Sequence, residues 1–194
     1  MSILRRPVVL LSQIAAVALA LSSPLHAAPF PILDLPLQAA QVSKPLTMLT
    51  LGRDHTLFYE AYNDASDIDG DGTLDIRFKP TFTYYGLFDS GLCYSHSGGA
   101  GNSDVFTPAA QTTTLGKCAT SSHWSGNWLN YVTTSRIDAL RKVFYGGYRE
   151  VDSSTETILR RTYIPQDAHS WAKEYTSEAV DGYKISDYTG LSQP

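Results

Sequence analysis

From position 63 to 75 the chain reads Asn-Asp-Ala-Ser-Asp-Ile-Asp-Gly-Asp-Gly-Thr-Leu-Asp, with carboxylates at alternate positions Asp67, Asp69 and Asp71 and another at Asp75. Like charges at that spacing repel one another, and no apolar run beside them compensates, so the segment is expected to be a loop that gains from a bound cation. Calcium fits best, because it takes about six to eight oxygens in a flexible shell. Asp67, Asp69 and Asp71 would supply the first, third and fifth ligands of such a loop. Gly72 falls at its sharp turn, Thr73 would offer a backbone carbonyl, and Asp75 would bind through a water. The twelfth position is Phe78, where a full EF-hand carries a bidentate Glu, so either another segment closes the shell or the site is weaker than a full hand, and binding is expected to be micromolar or weaker. Asp64 is the nearest spare carboxylate. The competing reading is a solvated acidic turn of Asp and Gly. If calcium binds, its expected role is to staple the loop.

The 194 residues suffice for one ordinary domain, and 43% hydrophobic against 18% charged residues indicates a folded chain. A net charge of −4 leaves no basic stripe for phosphates, which argues against a nucleic-acid partner. Arg5 and Arg6, an apolar run over 8–21 and the small residues Ala27 and Ala28 form the three-part pattern of a secretory signal. That run is shorter than the roughly twenty residues a bilayer span requires, so export is expected, with no membrane span after signal removal.

In an oxidising compartment Cys93 and Cys118 are first read as a disulfide pinning the Gly- and Ser-rich excursion between them, a closure that would stabilise the fold by roughly 3 to 4 kcal/mol. His96 and His123 lie close enough in sequence to make a zinc site the competing reading.

Residues 1–27 are thus expected to be a signal peptide, 28–45 a proline-rich connector, 46–180 a single α/β or α+β domain with the calcium loop at 63–78, and 181–194 a polar, truncated tail. Within the domain, 46–51 and 57–62 suit strands, as does the alternation of Ile76 and Phe78 with Arg77 and Lys79. Aromatics over 82–88 continue in similar style. One helix is expected from Ser125 to Gly146-Gly147, with Trp128, Leu129, Val132, Ala139, Leu140, Val143 and Phe144 forming its apolar stripe. Ser125 or Asn127 would cap its start and the glycines would stop it. Residues 157–164 read as a strand closed by Pro165, with a short helix as the alternative.

Asp54-His55 and Asp167-Ala168-His169-Ser170 each place a carboxylate near an imidazole, but hydrogen-bonded structural histidines are the simpler reading, and no G-x-S-x-G elbow, Walker loop or HExxH occurs. Asp64-Ala65-Ser66 begins the Asp-x-Ser-x-Ser pattern of an adhesion metal site, yet Ile68 stands where the last serine is needed.

A family resemblance adds what spacing cannot. Trp124-Ser125-Gly126-Asn127-Trp128-Leu129-Asn130, then the run 135–143, then Tyr145-Gly146-Gly147, resemble the amino-terminal region of PilY/PilC-type proteins, secreted factors of type IV pilus biogenesis associated with the pilus tip and adhesion. Arg53-Asp54-His55 through the acidic loop, and the run 163–170, agree in the same order. The resemblance implies a von Willebrand A-like amino-terminal part followed by a long β-propeller; this chain is expected to be an incomplete von Willebrand A-like domain, with the calcium loop inserted and the propeller absent. It also implies a non-enzymatic role in pilus assembly and tip-associated adhesion, with the protein exported to the periplasm, the outer surface or the pilus tip of a Gram-negative bacterium. The partners it implies are type IV pilus subunits or minor pilins, and a host or abiotic surface. The alternatives are a secreted calcium-dependent hydrolase using His169 or His55, and a calcium-dependent docking module.

Overall fold

The computed structural model describes residues 46–48, 50, 52, 54–99 and 103–191. The expected signal peptide and connector lie outside the described residues. The chain divides into two units at Thr50 and Leu51. In the first, residues 46–48 and 50 have no regular structure, so the strand expected at 46–51 is not seen where it is described. Everything below concerns the second unit, a mixed α/β assembly in which every strand pairing among the described residues is antiparallel.

Strands β1 (Leu92–His96), β2 (Phe106–Gln111) and β3 (Trp124–Ser125) form a sheet in the order β2-β1-β3. The excursion between the cysteines is therefore partly a hairpin, with Cys93 opposite Ala110 on one side and Ser125 on the other. Strands β4 (Arg149–Asp152) and β5 (Thr157–Leu159) make a second, two-stranded sheet. The strand expected over 157–164 thus stops at Leu159 and the chain continues without regular structure.

The single helix expected from Ser125 is two helices, α1 (Gly126–Thr133) and α2 (Arg136–Tyr145). The break has a local cause. Ser135 is extended and its hydroxyl oxygen accepts from the Asp138 N–H (3.2 Å), while its hydroxyl donates to the Asp138 carboxylate (2.7 Å), so a new capped helix starts there. The restart resets the helical phase. Ile137 and Asp138 are buried, whereas Val143 and Phe144, expected on the buried stripe, are exposed. The caps at the outer ends match expectation: Ser125 accepts from the Trp128 N–H, and Gly146 ends α2 at φ +85°, where a side chain would be strained.

Residues 57–62 form no strand. Asp54 caps a 3₁₀ turn over His55–Phe58, because its carboxylate takes the Thr56 N–H (2.9 Å). The period-two stretch 76–79 forms no strand, the nearest pairing being the isolated bridge between Ser66 and Asp75, and 82–88 is irregular, its backbone groups satisfied by side chains instead.

The core is aromatic: Phe78, Tyr84, Tyr131, Tyr183, Ile185 and Tyr188, with Tyr62, Phe82, Trp128, Val132 and Tyr175 packed around them. Three of these core residues come from the stretch expected to be a polar tail. A short helix α3 (Glu178–Asp181) and a 3₁₀ turn over Ile185–Asp187 return that stretch, so Tyr188 is fully buried and its carbonyl accepts the Ser125 N–H (2.8 Å). Widely spaced aromatics in a polar context give no periodic signal, yet each buries a large area.

Candidate metal centre

The backbone of the acidic loop organises its own carboxylates. Asp67 Oδ1 accepts N–H groups from Gly70 (2.6 Å) and Asp71 (3.1 Å), and its Oδ2 accepts from Gly72 (2.8 Å). Asp69 Oδ1 accepts from Asp71 (3.2 Å), and Asp71 Oδ1 accepts from Thr73 (2.7 Å). These bonds require the chain to wind tightly, which Gly72 permits at φ +86°. The Gly72 N–H, assisted by those of Gly70 and Asp71, holds the Asp67 carboxyl below the usual carboxylate range.

Carboxylate oxygens of Asp67, Asp69 and Asp71 lie within 4.8 Å of one another, all three residues exposed. An all-oxygen, anionic donor set at that spacing fits a hard divalent cation. Asp75 stands apart from this trio. It is buried, forms an ion pair with Lys79, and its Oδ2 accepts the N–H groups of Ile68 (2.6 Å) and Asp69 (3.4 Å). Its own N–H donates to the Ser66 carbonyl (2.9 Å), so Asp75 closes the neck of the loop. Phe78, at the twelfth position, is in the core and stacks on Tyr84 with ring centroids 5.4 Å apart.

Asp64 is not spare. At φ +54° its carboxylate accepts the Tyr131 hydroxyl (2.9 and 3.0 Å) and the Lys173 ammonium (2.7 Å). Lys173 also donates to the Tyr62 carbonyl and lies 4.5 Å from the centre of the Tyr131 ring. Burial, then the bond to Asp64, pushes the Tyr131 hydroxyl well above the usual tyrosine range. The loop is thereby tied at one end to α1 and the segment after His169, and at the other, through Phe78, to the aromatic core.

Asn127 and Asn130 of α1 are the determinants that sequence reasoning missed. Asn127 accepts the Tyr84 N–H (2.7 Å) and donates to the Phe82 carbonyl (2.7 Å). Asn130 accepts from the Phe88 N–H (3.0 Å) and donates to the Tyr84 (2.9 Å) and Phe88 (3.0 Å) carbonyls and to Ser90 Oγ (3.2 Å). Two asparagines three residues apart on an otherwise apolar helix face were the available signal.

Cys93 and Cys118 are bonded, with Cα atoms 5.9 Å apart, which removes both thiols from the competing zinc set. His96 Nε2 pairs with Asp104 (2.8 Å), and the buried His123 Nδ1 has no hydrogen-bond partner among the described residues. Around the other histidines, His169 Nδ1 contacts Asp167 (2.7 Å), but the Ser170 hydroxyl donates to the Asp167 carbonyl (2.8 Å). Aspartate and imidazole therefore meet without the hydroxyl being presented to the imidazole. His55 packs edge-on against His169, with ring centroids 5.9 Å apart. Among the described residues no helix is long and apolar enough to cross a membrane.

Against known proteins, residues 75–193 match a family described as PilY1 homolog, small alpha/beta domain. The match begins at Asp75, so the three exposed carboxylates precede it. The chain is 58% identical over 149 residues, 76% of its length, to a type IV pilus biogenesis factor PilY1 homolog of Xylella fastidiosa strain Temecula1. It is 36% identical over 113 residues, 56% of its length, to another protein of that description from the same strain. The chain spans 10% and 9% of these two relatives. No solved structure matches it.

Proposed function

The chain belongs to the family of PilY1 homologues, and on that premise we propose that it acts in type IV pilus biogenesis as an exported, non-enzymatic factor whose acidic loop is stapled by calcium. The observation that carries the pilus reading is the 58% identity over most of the chain to a protein named for that process. Its partners are then pilus subunits or minor pilins, and attachment to a host or abiotic surface is the adhesive side of the role. Its place is the periplasm, the outer surface or the pilus tip. The von Willebrand A-like character rests on the resemblance. Antiparallel pairing in both sheets supports reading the described residues as a small mixed domain of their own.

The calcium part is supported by the clustered oxygens of Asp67, Asp69 and Asp71. Thr73 would add a backbone carbonyl and Asp75 would act at the ninth position through a water or as the neck of the loop. In this role the ion neutralises the carboxylates and fixes a loop already joined to the core at Asp64 and Phe78.

The test is deletion of the gene with complementation by the parent and by the triple variant Asp67→Ala, Asp69→Ala, Asp71→Ala. Loss of surface pili, twitching and attachment on deletion, restored by the parent, is the expected result. Unchanged piliation, twitching and attachment in the deletion strain overturns the pilus role, and full rescue by the triple variant overturns the calcium part alone.

A further inference from the structure

The C-terminal end of α1 and the segment 161–173 line a half-open cleft of about 230 Å³. Its walls are apolar at Val132, Ile164 and Trp171, and its cations are Arg161 and Lys173. The two cations differ in their commitments. Lys173 is matched by Asp64, whereas among the described residues no hydrogen bond or ion pair occupies the Arg161 guanidinium. Arg161 lies over the Trp171 ring, 5.6 Å from its centre. A cation–π contact of this kind engages no N–H donor, so the guanidinium's planar fork remains able to donate. Asp138, whose charge reaches Arg161, has its oxygens taken by the Ser135 hydroxyl and by the N–H and hydroxyl of Thr162.

The remaining polar groups of the cleft are turned elsewhere. The Trp171 indole N–H donates to the Val132 carbonyl (2.8 Å), the Thr133 hydroxyl to the Leu129 carbonyl (2.7 Å) and the Ser170 hydroxyl to the Asp167 carbonyl. The carbonyl end of α1 is therefore partly satisfied, and among the described residues Arg161 is the lining cation whose donors are uncommitted. Arg161 is itself exposed, so its guanidinium is open to a group arriving from solvent.

We infer that this cleft is a binding site for a carboxylate carried by a partner polypeptide, held by the Arg161 fork and flanked by the indole and aliphatic walls. One planar fork with apolar walls suits a single carboxylate with apolar neighbours, since a phosphate or sulfate group calls for more donors around it. The proposal does not require calcium, although Lys173 joins the cleft to Asp64 at the start of the acidic loop.

The test is NMR of the full chain, following the Trp171 indole N–H resonance, which is assigned with Trp171→Phe. The probes are the blocked tripeptide Ac-Ala-Glu-Ala-NH₂, its Gln counterpart, Ac-Ala-Ala-Ala with a free carboxylate, and sodium sulfate. A saturable shift is expected with the Glu peptide and not with the Gln peptide, and Arg161→Gln is expected to weaken it by about tenfold or more. A shift confined to the free-carboxylate peptide keeps the site and assigns it to a chain end. Equal shifts with the Gln peptide, equal shifts with sulfate, or a shift indifferent to Arg161→Gln overturn it. The Glu and Gln comparison is made on the parent chain, so the result stands even if the variant fails to fold.

Discussion

In the acidic loop, side chains accept from backbone N–H groups between two and seven residues away. In the core, Asn130 reaches 46 residues to Tyr84, and Lys173 reaches 109 to Asp64. The first kind of bond closes with little loss of chain entropy and, apart from the buried Asp75 at the neck, stays at the surface. The second exists only once the domain is assembled, and its partners are buried where losing one is costly. The loop should therefore answer to ions and acid, and the core to side-chain deletion and alkali.

The largest effect is expected from Asn130→Ala. It strands the Phe88 N–H and the Phe88 carbonyl beside a fully buried position, leaves the Tyr84 carbonyl with the Ser90 hydroxyl alone, and should cost about 3 kcal/mol or more in urea unfolding. A cost under about 1 kcal/mol would show that the 82–90 segment is held by something other than α1. Next comes the double variant Cys93→Ala, Cys118→Ala, expected to lose about 3 kcal/mol, measured the same way. Asp69→Ala, which touches only the loop's local bonding, should change unfolding in calcium-free buffer far less than either.

Protons divide the two regions differently. Burial raises the Tyr84 and Tyr188 hydroxyls to about 12 from an ordinary value of 10. Because the folded pKa is the higher one, their contribution is complete below pH 10 and is lost as pH rises through about 12. Tyrosinate absorbance and thermal unfolding followed together should show both changing in that window, with Tyr84→Phe shifting the onset upward. Asp67 has the opposite sign and the smallest effect. Its folded pKa lies below the ordinary 3.8, so its contribution is present above that value and lost as pH falls through the folded one. Asp67→Asn should flatten the acid limb of the stability curve and leave the alkaline limb unchanged.

The same contrast explains what could be read in advance. The loop was legible because its chemistry repeats every second residue and its partners are neighbours: Asp67, Asp69 and Asp71 do converge. The cap at Ser125 and the stop at Gly146 were legible for the same reason. The break before α2 was missed although Ser135-Arg136-Ile137-Asp138 carries a Ser-x-x-acid cap, because the apolar stripe seemed to run through it. Tyr183, Ile185 and Tyr188 were missed because nothing local separates a core tyrosine from a surface one. Asp64 looked available because Tyr131 and Lys173, which occupy it, lie far along the chain.

The most direct measurement is thermal unfolding of the full chain as calcium is added, beside Asp69→Ala, with the heat of binding followed by calorimetry. A stapled loop predicts saturable heat and a Tm that rises with calcium in the parent, and neither in the variant, from closely similar calcium-free Tm values. No heat and no change in the parent's Tm would contradict the calcium staple and leave 63–78 an acidic turn held by its own backbone.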